Sequence, residues 1–439
     1  MTYAEADILI IGAGGAGLAA AAELAQSGRH VLLLEARDRI GGRMWTLHAP
    51  DLAAPIEYGA EFIHGEALTT MAVLRRGGRT AIESTDTHFR LQDGELAARN
   101  EFFHEVQRAM RASSELERQD LSFDVFLEQS KDLSVEARRY AKMMAEGFDA
   151  ADTRCASARA IAAEWTADMM NDDASQSRPQ GGYDALVATL AGSLQSESLH
   201  LQLQTIVRSV RWSEGSVALE GTFLGRPFRA SARRAIITLP LGVLQQPPDA
   251  PGAVEFSPAL NEKRSALQGL ASGPVIKVML RFRSAFWEEL DGGRYRNAAY
   301  FHAPNSDFRT FWTQLPVHAP FLVAWAGGPT AAHLSSSVAP ADIVTRALSA
   351  LQSMFGKRCN VTDAFQGAYY HDWQQDPFAR GAYSYVKVGG AAARSALAAP
   401  LGDTLFFAGE ATDTEGETAT VTGALQSGVR AAREALAGL

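Results

Sequence analysis

An apolar run, Ile8-Leu9-Ile10-Ile11, passes straight into Gly12-Ala13-Gly14-Gly15-Ala16-Gly17, and nothing else in the chain constrains its fold as much. An alanine-rich helical stretch follows, then a second apolar run, Val31-Leu32-Leu33-Leu34, closed by Glu35. Strand, G-x-G-x-x-G turn, helix, strand and acid together make a βαβ dinucleotide-binding unit. Gly12 permits the tight turn. Gly14, with Gly15 and Ala16 beside it, lets the backbone approach a pyrophosphate, and Gly17 lets the helix pack close to the strand. The helix N-terminus offers unpaired N–H groups and a partial positive charge to the phosphates. Glu35 stands about 20 residues beyond the glycines, where a carboxylate binds the ribose hydroxyls of an adenosine. A glycine turn that binds nothing would leave Glu35 unexplained.

Composition bounds the rest. A chain of 439 residues, 46% of them hydrophobic, is long enough for about two or three domains with cores of their own. A net charge of −9 with no long like-charge block argues against nucleic acid as a partner, which would need a basic face. The acidic balance suits solubility and also steers cations. The two cysteines, Cys155 and Cys359, form no C-x-x-C pair, so neither a zinc site nor a disulfide framework is expected, and no metal. A reducing cytosol is the simplest setting. With the first strand starting near Asp7, no signal peptide is expected. No apolar stretch of about 18 residues occurs, so no membrane span is expected, and Arg430 to Leu436 reads as an amphipathic helix rather than an anchor.

After Glu35 comes Ala36-Arg37-Asp38-Arg39-Ile40-Gly41-Gly42-Arg43, a second glycine pair with a basic residue and so a second place to hold phosphate. Nicotinamide enzymes have no evident need for it, whereas a flavin adenine dinucleotide (FAD) lying extended would use it. Near the C-terminus, Phe407-Ala408-Gly409-Glu410-Ala411-Thr412 precedes Thr420-Val421-Thr422-Gly423-Ala424. The helix starting near Thr420 would aim its N-terminus at a flavin, where a helix dipole favours the negative charge of the reduced ring. Gly423, Ala424 and Gly428 are small enough for a close approach to that ring. These blocks, in this order over the whole chain, resemble the flavin-containing amine oxidase superfamily. That group includes monoamine oxidases, polyamine oxidases, L-amino acid oxidases and lysine-specific histone demethylases, and the motifs here are most similar to the polyamine oxidase type.

The resemblance implies an α/β plus α+β fold, in which a Rossmann-like FAD-binding domain is interleaved with a substrate domain of mixed sheet and helices. Residues 1–65, 179–245 and 402–439 are expected in the first, and residues 66–178, read mostly as helix, and 246–401 in the second. It assigns Glu35, Ala36, Arg37, Gly42 and Arg43 to the adenosine ribose and pyrophosphate. Val207, in a V-x-x-V with Val210, holds adenine through its backbone, and Thr238 ends a strand close to the cofactor. Gly59, Ala60, Glu61 and Phe62 are assigned to the cofactor, as are Trp373, Gly409, Glu410, Thr420, Val421 and Ala424.

Lys277 shares a strand face with Val275 and Met279 by period-two alternation, so it is expected to point inward. The resemblance gives it a water near flavin N5. Trp373 and Tyr383 lie in a W-x-x-D-P-x-x-x-G-x-Y-S-Y block, with Tyr383 as one wall of an aromatic cage. Ala424 stands where monoamine oxidases have the second cage tyrosine, which leaves Trp312, Trp325 or Phe311 to complete the cage. Ala382 stands where those enzymes carry the cysteine that links flavin covalently, so non-covalent FAD is expected. Phe62 replaces the arginine with which amino acid oxidases grip a carboxylate, and His64 is placed in the substrate channel. Asp172, Asp173 and Glu164 either line an amine channel or are plain solvated positions.

Together these residues imply oxidation of an amine C–N bond. Hydride passes to flavin N5, the imine is hydrolysed, and O2 is reduced to hydrogen peroxide. An L-amino acid oxidase, another flavin desaturase or dehydrogenase, and a non-enzymatic flavoprotein are the alternatives. The identity of the amine and the oligomeric state stay open.

Overall fold

Five short strands form a parallel sheet in the order Leu199–Gln202, Val31–Leu34, Ile8–Ile11, Arg234–Ile237, Leu405–Phe407. The computed structural model describes residues 2–92, 94–98, 106, 108–110, 116, 118–166 and 176–438. Its strands Val31–Leu34, Ile8–Ile11 and Leu405–Phe407 are buried on both faces and read as continuous apolar runs, whereas the edge strand Leu199–Gln202 alternates. Ile8, Ile10 and Leu33 pack on one face against the helix Gly15–Leu24 and the C-terminal helix Val421–Leu436. Leu9, Ile11, Leu32 and Leu34 pack on the other against Val207, Val210, Val217 and Phe228 of a second, five-stranded sheet.

The segment from Leu199 to Ser213 serves both sheets. Leu199–Gln202 pairs with Val31–Leu34, the chain turns at Gln204 with φ at 51°, and Thr205–Ser213 begins the antiparallel sheet.

The remaining chain builds a seven-stranded sheet. Its order is Phe365–Tyr370, Val275–Phe282, Phe321–Gly327, Thr310–Trp312, Tyr300–His302, His88–Gln92, Glu95–Ala98. One face carries the core of Ile276, Val278, Leu280, Phe301, Phe311 and Leu322. Helices Phe123–Gln129, Val135–Gly147 and Ala158–Thr166 form a further apolar cluster. The first two are N-capped by Ser122 and Ser134, whose hydroxyls accept from Val125 N and Ala137 N.

Two elements depart from the expected division. The helix Leu68–Arg76, placed by sequence with the substrate unit, puts Val73 and Leu74 into the core of the nucleotide sheet. The strand Glu255–Ser257 pairs with Thr205–Ser213. Both are amphipathic or short, so their partners are set by tertiary packing rather than by local pattern.

Candidate functional site

One cavity of about 860 Å³ runs from the first glycine turn to the face of the seven-stranded sheet. At the nucleotide end it is lined by Gly12, Gly14, Gly15, Ala16, Glu35, Ala36, Arg37, Gly42, Arg43 and Val207. Gly59, Ala60, Glu61, Phe62, Thr238, Trp373, Gly409, Glu410, Thr420, Val421 and Ala424 line its middle. Lys277, His64 and Tyr383 complete the set of expected site residues that meet in it. Gly17 alone does not line it. A Cβ there would sit 1.8 Å from the Gly12 carbonyl oxygen, so its bareness serves helix–strand contact.

The glycine-turn helix has Gly14 as N-cap, with no capping side chain and no acid in its first turn, so its leading N–H groups remain available to an anion. A Cβ on Gly42 would lie 3.1 Å from Gly14 Cα, so two bare glycine turns abut at the cavity wall. The Glu35 carboxylate is fixed by Ala13 N (2.8 Å) and Arg37 N (3.0 Å), which leaves each oxygen a lone pair for a hydroxyl. At the far end, Thr420 caps the C-terminal helix by accepting from Gly423 N at 3.1 Å. These features fit an extended dinucleotide.

Several side chains assigned singly to a ligand are in fact bonded to each other. Arg43 donates to Glu410 Oε1 at 3.0 Å and to the Ala382 carbonyl. Glu410 Oε2 accepts from Ser384 Oγ at 2.6 Å and Ser384 N at 3.2 Å. Burial would raise the Glu410 pKa, but Arg43, Ser384 and Arg394 together hold it below its ordinary value. Arg37 donates to Asp376 Oδ1 at 2.7 Å, which ties the Trp373 block to the nucleotide end. The small residues of the C-terminal helix also divide. Ala424 lines the cavity, whereas Gly428 admits the Ala16 carbonyl and Gly423 the Glu417 carbonyl.

Lys277 is 3% exposed. Its Nζ lies 2.7 Å from Glu61 Oε2 and donates to the Gly59 carbonyl at 3.1 Å. That leaves one of its three ammonium protons for a cavity ligand. Glu61 Oε1 accepts from Trp312 Nε1 (2.8 Å), Arg178 Nε (2.9 Å) and Gln314 Nε2 (3.1 Å). Burial pushes the Glu61 pKa up, but Lys277 and Arg178 outweigh it and bring it down to about 2. Arg178 bonds through Nε and both Nη atoms, which leaves a single Nη2 N–H and no bidentate pair to clamp a carboxylate. Its other bonds go to Ser84 Oγ and the carbonyls of Leu315 and Thr313.

Aromatic rings surround the lysine. Trp312 and Trp325 lie 5.4 Å apart, Phe62 lies 5.6 Å from Trp312, and all three line the cavity. Phe311, the third cage candidate, points to the opposite core because strand neighbours alternate. Tyr383 donates to the Phe148 carbonyl at 2.5 Å, and burial with Asp149 and Glu164 nearby keeps its phenol protonated. Trp373 donates to the Tyr58 carbonyl at 2.9 Å. His64 stacks edge-on against Phe148, and burial pushes its pKa down to about 4, so the ring is neutral at pH 7. Glu164 is half-buried and lines the cavity, while Asp172 and Asp173 lie outside the described residues.

Sequence reading did not single out Asp149, Tyr300, His88 or His302, which also line the cavity. Alternation places Tyr300 with His302, and Thr310 with Trp312, on common faces. Only the strand order shows that those faces are the cavity wall.

A parallel nucleotide sheet, a dinucleotide-sized cavity and an aromatic chamber at its end define a dinucleotide-dependent oxidoreductase. The family model described as flavin containing amine oxidoreductase matches residues 16–436, and the chain belongs to that family. It is a flavin-dependent oxidoreductase of that family. It is similar to a protein of Oryza sativa subsp. japonica named lysine-specific histone demethylase 1 homolog 2. The two are 30% identical over 459 residues, covering 98% of this chain and 57% of the relative. The chain thus spans little more than half the length of that relative. Its fold matches that of putrescine oxidase bound to putrescine, with TM-score 0.81 at 22% identity over 99% of this chain and 100% of that one. It also matches cyclohexylamine oxidase from Brevibacterium oxydans IH-35A, with TM-score 0.79 at 23% identity over 98% of each chain. Among the described residues, no helix is long and apolar enough to cross a membrane, and no cluster of metal-ligating side chains occurs.

Proposed function

We propose that this protein oxidises the C–N bond of a small amine and passes the electrons to O2. The observation that carries this reading is the buried Lys277–Glu61 pair inside an aromatic chamber that is continuous with the dinucleotide cavity. Residues 1–65, 179–245 and 402–439, with the helix Leu68–Arg76 added, form the unit that holds the cofactor. Glu35 binds the adenosine ribose, the Val207 backbone the adenine, and the helix N-termini at Gly14 and Thr420 the phosphates and the flavin edge. When bound, FAD supplies a hydride acceptor.

The chain's own residues do the rest. An alkylammonium has a pKa of about 10.4, as lysine does, and must lose a proton before its nitrogen lone pair can assist. The apolar walls Trp312, Trp325, Tyr383 and Trp373 favour the neutral amine by desolvation. Phe62 and neutral His64 add no charge that would hold the cation. Lys277 positions a water with its remaining proton, and that water hydrolyses the imine to aldehyde or ketone. The guanidinium that stacks on Phe62, that of Arg178, is taken up by Glu61, Ser84 and two backbone carbonyls, which disfavours an amino acid carboxylate.

The identity to histone demethylases favours a second reading, in which the amine is an N-methylated lysine on a peptide. An anaerobic screen for flavin bleaching tests both readings. Its arms are cyclohexylamine, putrescine, L-leucine and a dimethyl-lysine peptide, each followed by air and a peroxide assay. Bleaching by a small amine, with peroxide on aeration, is the expected result. Bleaching by L-leucine alone or by the peptide alone would overturn the proposal.

A further inference from the structure

The seven-stranded sheet presents a row of side chains to the cavity. Lys277 pairs across strands with Trp325, Trp325 with Thr310, Thr310 with His302, and His302 with Arg90. All five line the cavity. With strands about 4.8 Å apart, Thr310 sits about 10 Å from Lys277 along this row. The exposed residues of the cavity wall, Glu83, Thr85 and Asp86, cluster at the His88–His302 end, so the cavity opens there.

At this end four groups are joined. Asp86 Oδ1 lies 2.6 Å from His88 Nε2, His88 Nδ1 lies 2.8 Å from His302 Nε2, and His302 Nδ1 lies 3.3 Å from Thr310 Oγ1. Exposure falls along them, from 80% for the Asp86 side chain to 26% for His88 and 8% for His302. An ionised carboxylate only accepts, so Asp86 requires the proton on His88 Nε2. With its single ring proton on Nε2, His88 accepts at Nδ1, so His302 carries its proton on Nε2 and accepts at Nδ1 from the Thr310 hydroxyl. Every donor therefore points outward, toward solvent.

We propose that Thr310, His302, His88 and Asp86 form a proton line between the amine's path and bulk water. The inference rests on the amine-oxidation reading above. A cationic amine moving from the mouth toward Lys277 passes Thr310 and gives its proton to Oγ1. The hydroxyl proton moves to His302 Nδ1, the Nε2 proton of His302 to His88 Nδ1, and the Nε2 proton of His88 to Asp86, which releases it to water. In sum R–NH3+ and H2O become R–NH2 and H3O+. The reverse shift returns one proton, the one that formation of hydrogen peroxide consumes, and restores the starting tautomers. Over a turnover no net proton crosses.

The titratable and charged groups facing the histidines are Arg90 on the strand His88–Gln92, Asp86 just before that strand, Tyr300 stacked on His88 at 4.6 Å, and Tyr140 from the helix Val135–Gly147. Burial, His88 and Arg90 push the His302 pKa down to about 3. His302 thus relays protons as a neutral ring rather than storing charge.

Two measurements test it. Nitrogen-15 NMR of the histidine-labelled holoenzyme at pH 7 should show His88 and His302 both neutral and protonated on Nε2. A proton on Nδ1 of either ring, or a cationic ring, overturns the proposal. In His88→Phe, which keeps the stacked ring, and in surface-exposed Asp86→Asn, stopped-flow flavin reduction by cyclohexylamine should slow about 10-fold or more below pH 8. The loss should close as pH approaches the amine's pKa of about 10. At pH 8, with 2,2-difluorocyclohexylamine, whose electron-withdrawing fluorines leave it largely neutral at that pH, the variants should lose less than about 2-fold relative to wild type. Equal slowing with both amines, or no slowing with cyclohexylamine, overturns the line. If no amine bleaches the wild-type flavin, the functional reading falls instead, and the tautomers still decide the line.

Discussion

Lys277, Glu61 and Arg178 make a buried triad whose formal charges are +1, −1 and +1, closed by contacts of 2.7 Å and 2.9 Å. Removing different members leaves different remainders. Lys277→Met leaves a neutral Glu61–Arg178 pair, still bonded to Trp312 and Gln314. This variant is expected to fold and hold flavin, while flavin reduction or reoxidation slows by about 100-fold or more in stopped-flow traces. Unchanged rates in both half-reactions would remove the lysine from the mechanism. Glu61→Gln leaves two cations buried side by side, and losing the shared partner of buried charges costs about 3–5 kcal/mol. Its denaturation midpoint is therefore expected well below that of Lys277→Met. The reverse order would mean that the carboxylate is not the hub of the triad. The lysine was legible from period-two alternation alone. Arg178 was not, because its pairing with Glu61 spans 117 residues and depends on the strand Gln176–Pro179 lying between Ile63–His64 and Ala81–Glu83.

The C-terminal helix Val421–Leu436 packs along Gly15–Leu24, and its approach is set by one glycine. A Cβ on Gly428 would sit 2.2 Å from the Ala16 carbonyl oxygen, a backbone atom that cannot swing away. Gly428→Ala is expected to push the helix off the glycine-turn helix at a cost of about 1–3 kcal/mol, with weaker FAD binding by fluorescence titration. Gly192 ends the helix Asp184–Gly192 with no atom within 4 Å of an added Cβ. There alanine removes unfolded-chain entropy and should stabilise by about 0.5–1 kcal/mol. Like effects from the two substitutions would contradict the packing described. At this scale the sequence was readable where pattern and role coincide. The glycine-turn helix, the buried parallel strands and the Thr420 cap follow from local residues. Where one run serves two partners, as at Gln204, or where glycine marks helix contact rather than ligand contact, as at Gly428, local pattern carries no signal. The seven-stranded sheet shows the same limit. Tyr300 and His302 read as strand residues, but only the neighbouring strands place them beside Trp312 and Thr310.

Across the whole molecule, one cavity joins the two large units, so cofactor retention and folding are coupled. Ala382 lines that cavity and offers no sulfur to the flavin. Acid precipitation should therefore give a colourless pellet and a yellow supernatant, and a yellow pellet would show a covalent link elsewhere. A further linkage runs through Glu57, which is 5% exposed inside the cofactor-holding unit. Its Oε1 accepts from Tyr183 N at 2.7 Å and its Oε2 from Thr46 Oγ1 at 2.8 Å. Burial raises its pKa to about 7 against an ordinary 4.5, with the two hydrogen bonds and Lys277 offsetting only part of the rise. Between about pH 4.5 and 7 the folded chain therefore keeps a proton that the unfolded chain has lost, and by linkage this group's contribution to stability falls as pH rises through that window. At about 1.4 kcal/mol per pH unit the full effect is about 3 kcal/mol. His64, with its pKa lowered to about 4, acts in the opposite sense, losing stability as pH falls below its unfolded value of 6.5. Wild-type stability alone therefore mixes the two. Glu57→Gln isolates the first, because the amide mimics the neutral acid at every pH. Relative to wild type, the variant should be nearly equal in denaturation midpoint at pH 4.5 and progressively more stable toward pH 8. A difference that stays constant over that range would show that Glu57 ionises in the folded protein as it does in water.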